Sequence, residues 1–173
     1  RLREDSQAAG RWETAQGGEY FAAGVGGAIT GRGADLLIID DPHSEQDALN
    51  LTALERAYEW YTSGPRQRLQ PGGTIVCVMT RWNVKDLTGM LLSHQKEAKS
   101  DQWELIEFPA IMPSGKPVWP EYWKLKELET VKASISVGKW NAQWMQNPTS
   151  EEGAIIKREW WKNWEHDYMP RLE

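Results

Sequence analysis

Two adjacent carboxylates, Asp40 and Asp41, directly follow a run of four apolar residues at positions 36–39. Ionised carboxylates this close repel each other, and a divalent cation removes the repulsion. Mg²⁺ suits such a pair because it prefers one or two carboxylates together with water and phosphate oxygens. Since consecutive side chains on a strand point to opposite faces, we expect different roles: one acid holds Mg²⁺, and the other orients or deprotonates an attacking water. The alternative interpretation is structural, with Asp41 and Pro42 beginning a turn.

The carboxylates need a strand to carry them, and the sequence predicts a parallel α/β arrangement. The apolar run before them is continuous, which is typical of a strand buried on both faces of a parallel sheet. Ser44 and Asp47 resemble a capping box before a predicted helix at 45–61, and residues 74–80 form a second predicted buried strand. In a parallel strand, helix, strand unit with a right-handed crossover, ligands collect where the strands end. Thr80, at the end of the second strand, should therefore lie near the carboxylates.

Other segments complete the predicted architecture. Residues 1–14 offer no clear regular element, and the glycine-rich segment 24–33 is predicted to be a loop. Asp86 is predicted to cap a helix that begins at Leu87. The remaining predicted elements are a strand at 19–25, a third strand at 103–108, and helices at 125–135 and 137–146.

Composition limits the classes of protein to consider. A length of 173 residues favours one domain, and a net charge of -5 gives no broad basic surface for nucleic acid. The single cysteine, Cys77, lies in an apolar run, which indicates a core thiol and a reducing compartment. No apolar stretch reaches the roughly 20 residues needed to cross a bilayer, so we expect a soluble, cytoplasmic protein. The eleven tryptophans are expected to supply core area rather than to stack on bases.

Four stretches, taken in order, resemble the large terminase subunit of tailed bacteriophages, the motor that packages DNA: GVGGAITGRGADLLIIDDPHSEQDA, WYTSGPRQRLQPGGTIVCVMTRWNVKDLTGMLL, WELIEFPAIMPSGKPVWPEYW and KWNAQWMQNPTSEEGAIIKREWW. In that family a P-loop ATPase domain precedes an RNase H-like nuclease. The resemblance implies that residues 1–147 are the C-terminal part of the ATPase domain, a partial P-loop NTPase-like parallel sheet flanked by helices. Residues 148–173 would then be a linker leading toward an absent nuclease domain.

The resemblance also implies roles for individual residues. LLIIDD is similar to the Walker B strand, so Asp40 would hold Mg²⁺ through water and Asp41 would be the catalytic carboxylate, where many relatives carry Glu. VMT is similar to the coupling motif, in which Thr80 would sense the γ-phosphate. Arg32 occupies the place of an arginine that reaches a neighbouring subunit's nucleotide. The plainer alternatives are that Arg32 pairs with Asp35 or caps a turn, and that Thr80 is an ordinary strand-end hydroxyl.

The same resemblance implies ATP as substrate, Mg²⁺ as cofactor, and action in the host cell cytoplasm during virus assembly. The implied partners are double-stranded DNA, the portal protein, the small terminase subunit and other copies of the chain in a ring, with no membrane. The sequence contains no GxxxxGK[ST] motif, which normally cradles the β and γ phosphates. The isolated chain is therefore expected to have little or no ATPase activity.

Two other functions remain as alternatives. One is a metal-dependent endonuclease, which would need further acids to converge on the carboxylate pair, and Asp86, Glu104 and Glu107 are the obvious suppliers. The other is a non-catalytic assembly module, in which the tryptophan-rich second half docks on a portal or on the small terminase.

Overall fold

The structure is a computed structural model that describes residues 1–27, 29, 31–97 and 99–149. The chain divides into two compact units, Arg1–Phe108 and Pro109–Glu173, which are described separately below. Both strands and helices are present, so the coarse α/β prediction is confirmed. In the part of the chain that is described, none of the helices has the length and apolar character needed to cross a lipid bilayer.

The first unit begins with an antiparallel three-stranded sheet, of which the sequence predicted only the third strand. Its strands are β1 (Leu2–Ala8), β2 (Arg11–Thr14) and β3 (Glu19–Phe21), in the order β1-β2-β3. Trp12 and Tyr20 are cross-strand partners and stack with their ring centroids 4.8 Å apart. Such pairs stabilise a sheet only once its register is set, which explains why strand propensity alone missed two strands and extended the third to residue 25.

A parallel strand pair forms the centre of this unit. Strands β4 (Ala34–Asp40) and β5 (Leu69–Val78) run side by side, from the pair Leu36 and Thr74 to the pair Asp40 and Val78. Helix α1 (Leu51–Ser63) lies between them in the chain. The predicted order of strand, helix and parallel strand is therefore confirmed. Strand β5 ends at Val78, so Thr80 lies just beyond the strand.

Helix α1 begins six residues later than predicted. The predicted capping box exists: Ser44 donates its backbone N–H to the Asp47 carboxylate at 2.7 Å. It precedes only a 3-10 turn at Asp47–Leu49. Asn50 is the true N-cap, because its extended backbone lets its side-chain oxygen accept the Ala53 N–H at 3.2 Å.

The core lies on one face of the parallel pair. Ile39 packs there with Tyr61 of α1 and with Leu87 and Leu91 of helix α2 (Leu87–His94), which Asp86 caps as predicted. The opposite face is open among the described residues, with Leu36 56% exposed and Ile38 60% exposed. The prediction that β4 is buried on both faces is therefore wrong, because a continuous apolar run does not say how many layers cover it.

Cys77 lies on the core side of β5, packed against the buried cluster. Burial raises the pKa of its thiol to about 11. A thiol with that pKa stays protonated at neutral pH and is a poor nucleophile or metal ligand. The prediction of a core thiol is confirmed.

The predicted strand at 103–108 is wrong. These residues form no regular element, and Leu105, Ile106 and Phe108 are exposed. The Trp103 N–H donates to the side-chain oxygen of Gln95 instead of to a neighbouring strand. Alternating apolar residues make a strand only where a partner is available to take their backbone hydrogen bonds.

The described part of the second unit contains two helices and an aromatic cluster. Helix α3 (Leu125–Ser134) and helix α4 (Val137–Lys139), which continues as a π-helix over Trp140–Trp144, match the two predicted helices except for the π geometry. Trp140 is buried and stacks on Trp144 at 5.6 Å. The prediction of core tryptophans is confirmed at Trp140, whereas Trp119 is exposed. Trp160, Trp161, Trp164 and most of the predicted linker lie outside the described residues.

Substitution of Gly89 tests how closely the segment after β5 packs on α2. A Cβ built at Gly89 would lie 2.0 Å from the carbonyl oxygen of Val84. We expect Gly89→Ala to lower the free energy of unfolding by roughly 3 kcal/mol, because backbone has to move. The helical glycine Gly138 is the matched control: a Cβ there meets nothing within 4 Å, so Ala should be neutral or raise stability by up to about 1 kcal/mol. Urea unfolding of both variants measures the difference, and equal stabilities would contradict the packing.

Candidate active site

The structure brings Asp41 and Thr80 together at the carboxyl ends of the parallel strands. The Asp41 N–H donates to the carbonyl oxygen of Val78 at 2.9 Å, which extends the ladder by one residue. In return, the Thr80 N–H donates to Oδ1 of Asp41 at 3.2 Å. The ends of the two strands are therefore joined through the second carboxylate, at the edge where ligands bind in parallel sheets.

The two acids are both exposed, but they differ in hydrogen bonding and in backbone conformation. Asp40 is the last residue of β4 and belongs by alternation to the open face, with Leu36 and Ile38. Its carboxylate is exposed, with no hydrogen-bond donor among the described residues. Asp41 has a φ of 40°, in the left-handed region that residues other than glycine seldom adopt. This conformation costs on the order of 1 kcal/mol, and it turns the Asp41 side chain away from the strand alternation.

Asp40 suits a hydrated Mg²⁺ ion. Among the described residues, no group of three or more His, Cys, Asp and Glu side chains converges to hold a metal. Mg²⁺ does not require such a group, since it keeps several waters and takes one or two carboxylates. Asp40 is therefore the residue of this pair that could hold a hydrated Mg²⁺ ion.

A buried ion pair shapes the segment that follows Thr80. The Asp86 side chain is fully buried and accepts from the Arg81 guanidinium at 2.9 Å; Arg81 is only 13% exposed. Asp86 also accepts the backbone N–H groups of Trp82, Asn83 and Gly89, at 2.9, 3.2 and 2.9 Å. The sequence predicted the helix cap at Asp86 but not its ion-pair partner Arg81.

His43 is a second buried polar group beside the carboxylates. From the sequence it could contribute a proton or a ligand, but an ordinary turn histidine is the commoner case. It is 6% exposed, and its Nε2 accepts the Leu87 N–H at 2.8 Å. Because Nε2 is the acceptor, the ring proton sits on Nδ1. Burial lowers the pKa of His43, while the Asp86 and Asp47 carboxylates act in the opposite direction. The imidazole is therefore neutral at pH 7.

Arg32 lies against the antiparallel sheet. Its guanidinium pairs with Glu19 and lies over the Phe21 ring, 4.3 Å from the centroid. Its ion-pair partner is thus Glu19, not Asp35. Among the described contacts of Arg32, none reaches Asp41 or Thr80, so the structure does not bring this candidate residue into the same cluster.

No protein-family model matches the sequence, and no curated protein is significantly similar to it. The likeness to terminases therefore stays an expectation based on four sequence stretches. The local geometry is a separate finding. Two parallel strands end on an exposed acid, a strained acid and a threonine, and a buried ion pair follows.

The buried Asp86 carboxylate should matter far more for stability than an exposed one. We expect Asp86→Asn to lower the free energy of unfolding by about 3 to 5 kcal/mol, because Arg81 loses its carboxylate and an amide cannot accept all of the donors. Asp101→Asn is the matched control, since Asp101 pairs with Arg66 through two hydrogen bonds but both side chains are well exposed. That change should cost less than about 1 kcal/mol. Similar losses in the two variants would contradict the assigned burial.

His43 should make stability depend on pH. Its pKa in the folded state lies below the ordinary value of 6.5, so the unfolded chain binds the extra proton more readily. Stability from this group is complete above pH 6.5 and falls as the pH drops toward the lowered pKa. His43→Gln keeps an acceptor but cannot titrate. We therefore expect the stability of the wild type relative to His43→Gln to decrease between pH 7 and pH 5. A constant difference in urea unfolding over that range would be the contrary result.

Proposed function

We propose that this chain is part of the ATP-hydrolysing motor of a phage terminase large subunit, which packages double-stranded DNA into a capsid. The observation that carries the proposal is the Asp41 carboxylate held on the Thr80 N–H at the ends of two parallel strands. This pairing joins the predicted Walker B acid to the predicted coupling residue. The four sequence stretches that resemble terminases support the same function independently of the geometry.

The two acids have different roles in this proposal. Asp40 would hold Mg²⁺ through water, and the ion, when bound, neutralises charge on the β and γ phosphates of ATP. Asp41 orients the attacking water and takes its proton. The Thr80 N–H occupies Oδ1 of Asp41, which leaves the second carboxylate oxygen to face the water. Because the backbone of Asp41 is strained, its carboxylate lies outside the regular strand alternation and close to β5.

The other parts of the proposal concern the whole protein. The loop and lysine that cradle the phosphates would come from a segment outside this sequence, and Arg32 would reach the nucleotide of a neighbouring copy in a ring. To act in this way, Arg32 would have to break its ion pair with Glu19 and its contact with the Phe21 ring. Double-stranded DNA, the portal and the small terminase subunit are the proposed partners, with assembly in the host cytoplasm.

The nuclease alternative gains no support from Asp86. This carboxylate is fully buried and committed to Arg81 and three backbone N–H groups, so it is not directed at a metal beside Asp40. Glu104 and Glu107 lie in the segment that forms no strand. A plasmid-nicking assay of the chain with Mn²⁺ or Mg²⁺ separates the two functions, because only the nuclease predicts cleavage by this chain.

Asp41→Asn tests the proposed function in the protein that includes the coding sequence upstream of Arg1. The asparagine oxygen still accepts the Thr80 N–H and tolerates the left-handed backbone, so the fold and its stability should be kept. Mg²⁺-dependent ATP hydrolysis should fall by at least about 100-fold, since an amide takes no proton from water. Asp35→Asn, an exposed acid on the same strand, is the control and should hydrolyse ATP normally. Full ATPase activity in the Asp41→Asn protein would contradict the role of Asp41 as the catalytic carboxylate.

A further inference from the structure

The turn that carries Asp41 is attached to helix α2 by one side chain. His43 follows Asp41 by two residues, and its Nε2 accepts the N–H of Leu87, the first residue of the helix. Both residues are buried, so no solvent competes for this hydrogen bond. Without the imidazole, the Leu87 N–H would be a buried donor with no acceptor, which is costly. The bond therefore fixes the distance between the turn and the helix.

The end of β5 is attached to the same point. Asp86, the residue before Leu87, accepts the backbone N–H groups of Trp82 and Asn83 and so holds the segment that begins at Thr80. Adjacent residues at one helix N-terminus thus hold the ends of both strands. Gly89 keeps that segment close, because a Cβ there would clash with the Val84 carbonyl. The two attachments act together with the direct ladder bond between the Asp41 N–H and the Val78 carbonyl oxygen.

We propose that His43 is a positioning residue, which keeps the Asp41 carboxylate on the Thr80 N–H by tying the Asp41 turn to the first residue of α2. The catalytic consequence rests on the proposed function, because it takes Asp41 as the group that orients water. The positional part of the proposal, which concerns only the place of the Asp41 turn, does not rest on the proposed function. A shift of about 1 Å in a catalytic carboxylate is enough to reduce a rate by roughly 100-fold, so loss of this buried hydrogen bond is expected to lower the activity of the site.

Amide hydrogen exchange tests the positional part on the chain itself. In His43→Leu, which removes the acceptor, we expect the Thr80 amide to exchange at least about 10-fold faster, with the amides of the β4 and β5 ladder unchanged. In His43→Gln, whose amide oxygen reaches the place of Nε2, the Thr80 rate should stay within about 3-fold of the wild type. A Thr80 amide that keeps its protection while the Leu87 amide loses it would overturn the proposal.

His43→Asn provides a comparison that does not depend on the leucine variant folding. Asparagine and glutamine carry the same amide, but asparagine is one methylene shorter and does not reach the Leu87 N–H. We expect fast Thr80 exchange in His43→Asn and slow exchange in His43→Gln. Equal exchange rates at Thr80 in these two folded variants would also overturn the positioning role.

Steady-state kinetics of the protein with its upstream sequence test the catalytic part. We expect His43→Leu to lower kcat for ATP hydrolysis at least about 10-fold and to change KM for ATP by less than about 3-fold, because His43 positions a carboxylate and does not hold the nucleotide. His43→Gln should restore kcat. His94→Leu is the control: His94 is an exposed histidine stacked on Tyr58, and its loss should leave both constants unchanged.

The possible failures are distinct. Absence of ATP hydrolysis in the wild-type protein would overturn the proposed function, and the exchange rates of Thr80 would still decide the positioning of the turn. Normal kcat in His43→Leu, in a protein that Asp41→Asn inactivates, would retain the proposed function and overturn the role of His43.

Discussion

The rest of the first unit depends on the ion pair and the hydrogen bonds that the buried Asp86 carboxylate makes. Burying a charge is costly unless it is paired and fully hydrogen-bonded, and Asp86 meets both conditions through Arg81 and three backbone N–H groups. These bonds determine the shape of the segment after β5 and the starting point of α2 together. Once α2 starts there, Leu87 and Leu91 reach Ile39 and Tyr61 in the core. One buried acid thus links a loop, a helix and the packing of the sheet.

The position of α2 also explains why the two acids of the site differ. Helices cover one face of the β4 and β5 pair, and the described residues leave the other face open, with Leu36, Ile38, Val76 and Val78 exposed. Asp40 lies at the end of that open face and keeps regular strand geometry. Asp41 leaves the strand through a left-handed turn that His43 holds against the helix. Both carboxylates are exposed, but only that of Asp41 is held by a backbone N–H.

Much of the fold follows from local sequence patterns. The order of β4, α1 and β5, the cap of α2 at Asp86, and the helices of the second unit were predicted from periodicity and capping residues. The errors share a cause. The strand at 103–108 and the burial of β4 on both faces were inferred from apolar residues, whose pattern says nothing of whether a partner strand or a second layer exists. The missed strands β1 and β2 acquire their stabilising pairs only across the hairpin.

For the candidate site, the sequence by itself determined which chemical groups stand at the strand ends: Asp40, Asp41 and Thr80. It placed them at one edge because parallel strands that follow one another put their carboxyl ends together. Only the tertiary structure decided which atoms meet. The Asp41 and Thr80 contact spans 39 residues, and that of His43 and Leu87 spans 44. A helix cap involves residues three positions apart and is therefore visible in the sequence. A hydrogen bond between residues far apart in the sequence forms only where the tertiary fold brings them together. The local sequence pattern does not specify that arrangement.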